Sequence, residues 1–248
     1  MLPLISRTKY VFHTLLWLLK PDVILDVGSM DGSDSRKFKH LIPTADVVAF
    51  EANPNNYQAM SADTNLQQAG IRIVHQLVSN QEGSRSFFIQ QPINPAAGFN
   101  RGTSSAIRRS EQGMETMEVN LDAVRIDSFL AHQYPDKKRA AIWVDVEGHA
   151  YEVLESLYGI RDYVYLIHVE VETKEIWPGQ KIETDILALA HRMGFIPIAR
   201  SAHEVQRDLI LVNASWYNAS RYKISAMLHL AKWIGPILSK ILMVNRTT

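Results

Sequence analysis

The sequence predicts an α/β fold, a mostly parallel β-sheet covered by helices on both faces. Three observations carry this. Near-continuous apolar runs, Val23-Ile24-Leu25-Asp26-Val27, Val47-Val48-Ala49-Phe50 and Ala141-Ile142-Trp143-Val144, alternate with stretches of helical periodicity, and strands of that kind are buried on both faces. The runs give way to Gly28, Glu51 and Asp145, at the carboxyl edge where open α/β sheets bind ligands. The length, 248 residues with 46% apolar and 21% charged, suits one such domain with terminal additions.

The elements follow in order. Residues 4–19 read as a helix, because Leu4, Tyr10/Val11, Leu15 and Leu18/Leu19 recur near helical spacing and Pro21 stops it. After the strand 23–27 comes a short helix, 33–41, with Ser33 as its cap. Strand 47–50 is followed by Asn53-Pro54, which opens a helix to about Ala69 that Gly70 closes. Residues 71–75 read as a third strand and 86–89 as a shorter one after the Glu82-Gly83 turn. The stretch 91–113, with Pro92, Pro95, Gly98, Gly102 and Gly113 and few apolar residues, reads as a long loop, a length that within a compact domain is functional or disordered. Residues 117–121 alternate as a strand, and Ile126–Leu130 starts a helix capped by Asp127. A strand at 141–146, a helix at 150–157 ended by Gly159 and a strand at 164–171 come next. A helix at 182–193 closed by Gly194 and a final strand pair, 195–199 and 208–212, complete the domain. No internal repeat is present. The chain divides into an N-terminal helix (1–21), an α/β domain (22–212) and a basic amphipathic helical segment (213–248).

Charge is distributed unevenly. The 26 Lys and Arg balance the 26 Asp and Glu, yet residues 1–21 carry Arg7, Lys9 and Lys20 without an acid. Residues 209–248 carry Arg221, Lys223, Lys232, Lys240 and Arg246, again without one. All the acids therefore lie between two basic, apolar ends, the reverse of a basic nucleic-acid-binding domain, and no nucleic-acid partner is expected. The absence of cysteine excludes disulfides and Cys-based zinc sites and fits a reducing cytoplasm. The uncharged run Tyr10–Leu19 is too short to span a bilayer. Lys20-Pro21 stands where a signal peptide would need small residues. Three Asn-x-Ser/Thr triplets, beginning at Asn213, Asn218 and Asn245, are short enough to recur by chance and read as unmodified. In the C-terminal segment Ile224, Met227/Leu228, Ala231, Ile234, Ile237/Leu238 and Ile241/Leu242 share one helical face among lysines, with Gly235-Pro236 expected to kink the helix. Such a helix docks either on a membrane surface, which would put a cytoplasmic protein at the inner face of the membrane, or on the domain or a second subunit.

Four motifs carry chemistry. The first is Asp26-Val27-Gly28-Ser29-Met30-Asp31-Gly32, a turn whose glycines admit a ligand to the backbone at the start of a helix. A dinucleotide fingerprint would need glycine at 28, 30 and 33, but Met30 and Ser33 stand at two of these, and no phosphate-binding GxxxxGK[ST] occurs. A compact cationic ligand such as S-adenosylmethionine suits the turn. The second is Glu51, 19 residues beyond Gly32 at the end of an apolar strand, where an acid accepts hydrogen bonds from ribose hydroxyls. The third is Asp145-Val-Glu147-Gly148-His149, with two acids and a histidine at the ligand-binding edge. The fourth is His168-Val-Glu170-Val-Glu172, whose polar groups alternate onto one strand face and are costly there unless paired or used.

With these pieces in order, the sequence resembles the FkbM-type family of S-adenosylmethionine-dependent methyltransferases. The resemblance rests on Val23–Gly32, Phe50-Glu51-Ala52-Asn53-Pro54, Val78-Ser79-Asn80 with Gly83, and Arg125–Phe129. It extends through Asp145-Val-Glu147-Gly148 with Glu152-Val-Leu154, and Met193-Gly194-Phe195. It implies a Rossmann-like class I methyltransferase fold over 22–212, with a mostly parallel seven-stranded sheet whose last strand is antiparallel. Asp26, Gly28, Ser29, Asp31 and Gly32 would line the methionine end. Glu51 with Ala52 would hold the ribose, and Val78 and Ser79 would flank the adenine. Ser29-Met30-Asp31, in place of the commoner Ala-Asn-x, and His149 are departures from the family pattern.

The expected activity is O-methyl transfer to a hydroxyl of a sugar, glycan or secondary metabolite. Such chemistry needs alignment and the removal of one proton. His149, Asp145 and Glu170 are the candidate general bases, and Asp145 is equally a candidate contact for the cofactor's cationic centre. A magnesium site from Asp145, Glu147, Glu170 and His168 is an alternative that is not favoured, and no metal is expected. Arg101, Arg108, Arg109 and Thr103-Ser104-Ser105 in the long loop are candidate acceptor-reading residues. The competing readings are a binding module that keeps the fold without catalysis and a nucleotide-dependent oxidoreductase, the latter disfavoured by the glycine spacing.

Overall fold

A computed structural model describes residues 4–5, 7–92, 102–109, 114–136 and 139–244, with no side chains described beyond Leu230. The chain runs β1 (Leu4–Ile5), α1 (Thr8–Leu19), β2 (Val23–Val27), α2 (Ser33–Leu41), β3 (Asp46–Phe50), α3 (Pro54–Ala62), α4 (Thr64–Gln68) and β4 (Arg72–Val74). It continues through β5 (Leu77–Val78), β6 (Gly83–Pro92), β7 (Met114–Val124), α5 (Ile126–Gln133), β8 (Ala140–Val144) and α6 (Ala150–Glu155). After a 3-10 turn (Tyr158–Ile160) come β9 (Val164–Glu172), α7 (Glu183–Arg192), β10 (Phe195–Arg200), β11 (Gln206–Asn213) and α8 (Ala214–Val244).

The principal sheet has the order β1-β10-β11-β9-β8-β2-β3-β4. Every pairing is parallel except those of β11, which runs antiparallel to β10 and β9. This is the class I methyltransferase sheet of seven strands, widened at one edge by the two residues of β1. β5, β7 and β6 form a separate three-stranded sheet. The wholly apolar strands are buried on both faces as their sequence requires. One face packs on α5, α6 and α7 through Ile126, Phe129, Val153, Leu154, Ile186 and Leu189. The other packs on α1, α2, α3, α4 and α8 through Phe12, Leu16, Phe38, Met60, Leu66 and Ile224.

Several local expectations are corrected. Leu4 belongs to an edge strand, paired with Ala199, and helix α1 begins at Thr8. The N-cap of α2 is Gly32, at φ 72°, so Ser33 is the first helical residue and its N–H is taken by the Asp31 carboxylate. The expected 54–69 helix is two helices, because Asp63 breaks out of helical geometry and caps the second by accepting from the Asn65 N–H. Arg125 is the cap of α5, and Asp127 is the second helical residue, held by Arg125 and accepting from the Ser128 N–H. Gly159 sits inside the 3-10 turn. The 86–89 strand is a ten-residue strand paired along its length with β7.

α8 continues as helix through Gly235 and Pro236. Its first turns pack Trp216, Tyr217, Ile224, Met227 and Leu228 on the α1 side of the core, so this part of the apolar stripe is covered by the domain itself. The stripe side chains from Ala231 onward lie outside the described residues. Among the described residues no helix is long and apolar enough to cross a membrane.

His168 lies buried on β9, stacked at 3.5 Å and 5° on Trp143, with Phe12 edge-on to both rings. Burial pushes its pKa down to about 3, with Asp34 opposing the shift and Lys9 and His13 adding to it. A histidine whose folded pKa lies below its unfolded one contributes full stability above about pH 6.5 and loses it as pH falls, at about 1.4 kcal/mol per unit. His168→Phe keeps an aromatic ring on Trp143 and removes the titration. Between pH 6.5 and 4.5 its unfolding free energy in urea should fall by about 2 kcal/mol less than that of the wild type. Parallel pH dependences would show that His168 is not held neutral by burial.

Candidate active site

A cleft of about 920 Å³, including its mouth, opens at the carboxyl ends of β2, β3 and β8. Its floor is the turn after β2. Gly28 (φ 86°) lies so close to the end of β8 that a Cβ there would stand 1.9 Å from the Asp145 carbonyl oxygen, so only glycine fits. The Gly28 and Ser29 N–H groups donate to the Phe50 carbonyl, and the Asp145 N–H to that of Val27. Met30 adopts φ 54°, a left-handed conformation that glycine or asparagine would hold at less cost. Its N–H donates to Glu51 Oε2 at 2.7 Å, which ties the turn to β3.

The sequence-selected residues separate into those that face the cleft and those that support it. Asp26, Gly28, Ser29, Asp31, Glu51, Ala52, Val78, Asp145 and His149 line it. Gly32 stands behind, where a Cβ would press on Leu66 at 2.7 Å. Ser79 is buried next to the lining and hydrogen-bonds His149 Nε2 at 3.2 Å. Glu170 borders a different hollow, with His203, Gln206 and Asp208, and accepts from Gln206 Nε2 at 2.6 Å. Glu172 accepts from Gln180, and His168 lies in the core against Trp143. The alternative set of Asp145, Glu147, Glu170 and His168 is thus not assembled, and among the described residues no three acids or histidines converge as a metal site.

The cleft is chemically two-ended. At one end Asp26, Asp34 and Asp145 lie within electrostatic reach of one another. Asp26 accepts from Ser29 Oγ and Ser35 Oγ, but burial raises its pKa to about 7 against those bonds. Solvent reaches Asp145 through the mouth of the cleft. Surrounding protein, followed by the charges of Asp208 and Asp34, raises its pKa to about 6. Burial works against ionisation of Asp34 too, yet Lys9 and Lys37, at 2.7 and 2.8 Å, hold its carboxyl below its usual range. At the other end Leu77, Phe87, Ala52 and Ala106 form an apolar slot. Glu51 stands between, its Oε1 accepting from the Asn53 N–H at 2.8 Å.

Some site residues gave no usable sequence signal. Lys9, on α1, reaches Asp34 across 25 positions and reads in sequence as terminal charge. Ser104 and Ser105, the candidate acceptor-reading residues, lie with Gly102 and Ala106 in the wall of the cleft. Asn53 Nδ2 donates to Ser104 Oγ, Ser105 Oγ donates to the Glu147 carbonyl at 2.6 Å, and Ser105 pairs through its backbone with Phe88. Arg108 and Arg109 lie over the rings of Phe88 and Trp177. Arg101 lies outside the described residues.

The family model for the methyltransferase FkbM domain matches residues 26–197. The chain is similar to the 2-O-methyltransferase NoeI of Sinorhizobium fredii, at 26% identity over 79% of this chain and 82% of that protein. It is also similar to the methyltransferase sdnD of Sordaria araneosa, at 28% identity over 69% and 73%. Among solved structures, magnesium protoporphyrin IX methyltransferase (ChlM) from Synechocystis PCC 6803, with bound SAM, shares 11% identity. Its TM-score is 0.45, over 83% of this chain and 77% of that chain.

The close approach at Gly28 can be separated from its positive φ. Gly28→Ala should cost about 3 kcal/mol or more in urea unfolding, because backbone must move. Gly83→Ala, at φ 91° with open space around it, should cost only about 1 kcal/mol. Equal losses would mean that the Asp145 carbonyl yields easily.

Proposed function

Because the chain belongs to the FkbM methyltransferase family, we propose that it binds S-adenosylmethionine in this cleft and methylates a hydroxyl oxygen of a sugar or another small acceptor. The observation that carries the reading is the cleft's polarity. An apolar slot suits a flat base, the Glu51 carboxylate suits a pair of ribose hydroxyls, and the carboxyls of Asp26 and Asp145 suit a cationic group. The three features follow one another in the order of base, sugar and sulfonium. The similarity to a 2-O-methyltransferase supports oxygen as the acceptor atom, and the family resemblance supports a sugar or other hydroxylated small molecule.

The bound cofactor would supply an already activated methyl on sulfur. The protein's part is to orient the acceptor and remove its proton. Asp145 is the residue we assign to that proton: it faces the cleft and is open to solvent, and with a pKa raised to about 6 it is ionised at neutral pH yet basic enough to accept. Glu170 serves this role less well. It lies outside the cleft, and burial, with Asp145, Glu147, Asp208 and Glu172 nearby, pushes its pKa up to about 9, so it is neutral at pH 7.

Two variants test the assignment. Glu51→Gln removes the charge while keeping one oxygen for a backbone N–H. It should bind S-adenosylhomocysteine at least about tenfold more weakly by calorimetry, and wild-type affinity would sink the ribose role. Asp145→Asn should transfer tritiated methyl to hydroxylated glycosides about 10²-fold more slowly, a loss well beyond any weakening of its binding of that product. Undiminished turnover would remove Asp145 from the chemistry. A wild-type protein that binds neither S-adenosylmethionine nor its product would overturn the proposed function as a whole.

A further inference from the structure

We infer that His149 is a positioning residue for the cofactor's base, fixed between Ser79 and Glu152 so that its ring closes the apolar end of the cleft. This rests on the adenosyl reading of the cleft and deepens it. His149 would otherwise be the natural choice for a proton acceptor, since it follows two acids at the ligand-binding edge.

Three observations place it differently. Its Nε2 lies 3.2 Å from Ser79 Oγ. Ser79 directly follows the cleft-lining Val78, and its backbone N–H donates to the Val124 carbonyl at the end of β7. The imidazole is therefore anchored to the three-stranded sheet, whose Leu77 and Phe87 make the apolar slot. Its Nδ1 lies 3.4 Å from Glu152 Oε2, a buried oxygen with no hydrogen-bond partner of its own. A carboxylate there favours the proton on Nδ1, which leaves Nε2 to accept from the Ser79 hydroxyl. Both ring nitrogens are then directed at protein, and the carbon edge and face of the ring are what the cleft receives.

The backbone beneath it is equally fixed. Gly148 adopts φ 69°, and a Cβ there would meet the buried Trp177 ring at 2.6 Å. Trp177 in turn donates its backbone N–H to Gln180 Oε1. His149 follows this contact directly as the N-cap of α6, so its backbone is held in place while Ser79 holds the ring. Burial pushes its pKa down to about 4, in keeping with a neutral ring that packs and is not charged by turnover.

Calorimetry with adenosine and with S-adenosylhomocysteine, on the full chain, tests the inference. His149→Ala should weaken both ligands by the same factor, about tenfold, with the thermal midpoint nearly unchanged. His149→Gln, whose amide still reaches Ser79, should recover most of the affinity. Ser79→Ala should produce a smaller loss for both and provides the reading if His149→Ala folds poorly. Wild-type affinity for adenosine in His149→Ala and Ser79→Ala would overturn the positioning role while leaving the adenosyl site intact. Loss of S-adenosylhomocysteine alone, with adenosine unaffected, would also overturn it by moving His149 to the amino-acid half. Failure of the wild type to bind either ligand would remove the underlying reading instead.

Discussion

The contact between the Gly28 backbone and the Asp145 carbonyl is the constraint on which the cleft depends. β2 and β8 are parallel neighbours in register from Val23↔Ala140 to Val27↔Val144. Beyond the last pair the chains would ordinarily diverge. Here the Asp145 N–H still reaches the Val27 carbonyl, and the Gly28 and Ser29 N–H groups reach that of Phe50 on the other side. The turn is thus stitched to both neighbouring strands just where α2 begins. A side chain at 28 would force these strands apart, and with them Asp26, Glu51 and Asp145, whose carboxyls come from three different strand ends.

Keeping those carboxyls together has an electrostatic cost. Asp26 and Asp145 are both raised, first by the surrounding protein and then by neighbouring carboxyls, Asp34 and Asp145 for the one and Asp208 and Asp34 for the other, and Asp34 stays ionised because Lys9 and Lys37 flank it. Such an arrangement is unfavourable for a domain that merely has to fold. A cation entering the cleft reverses the sign of the effect, since each carboxyl then has a partner. The basic N-terminal helix takes part in this balance. Lys9 spans from α1 to Asp34 and lies over the Trp143 ring, so a segment that looks peripheral in sequence contributes to the charge at the site.

The strands of a mostly parallel sheet were legible because doubly buried strands leave an unmistakable apolar run, and because Gly28 and Glu51 mark strand ends. Positions that depend on a neighbour distant in sequence were not. Nothing local distinguishes Gly32, which accommodates Leu66, from a glycine that receives a ligand. Asp63, which divides one apparent helix into two, carries only the weak local signal of a capping residue in a polar stretch with few apolar positions to fix the phase. His168, Glu170 and Glu172 do share a strand face, as alternation requires. Register then separates them: His168 sits opposite Trp143 in the core, and Glu170 opposite Asp208 at the edge. The serines at 104 and 105 look like loop polarity until the β6–β7 pairing brings them over the cleft.

The five residues from Asp145 to His149 show why a motif that reads as chemistry is in large part scaffold. The Asp145 carbonyl abuts Gly28, the Glu147 carbonyl accepts from Ser105, Gly148 lies against Trp177, and His149 bonds Ser79. Four separate parts of the chain therefore meet one short loop, and three of the four contacts involve its backbone. An acid-rich loop at the ligand edge of a sheet suggests acid–base catalysis throughout, yet here the Asp145 carboxyl faces the cleft with a pKa near the working range while most of the loop's other contacts are structural. The others fix where that carboxyl stands. Since methyl transfer depends more on alignment than on acid–base strength, a loop that spends most of its residues on position is what the reaction requires of it.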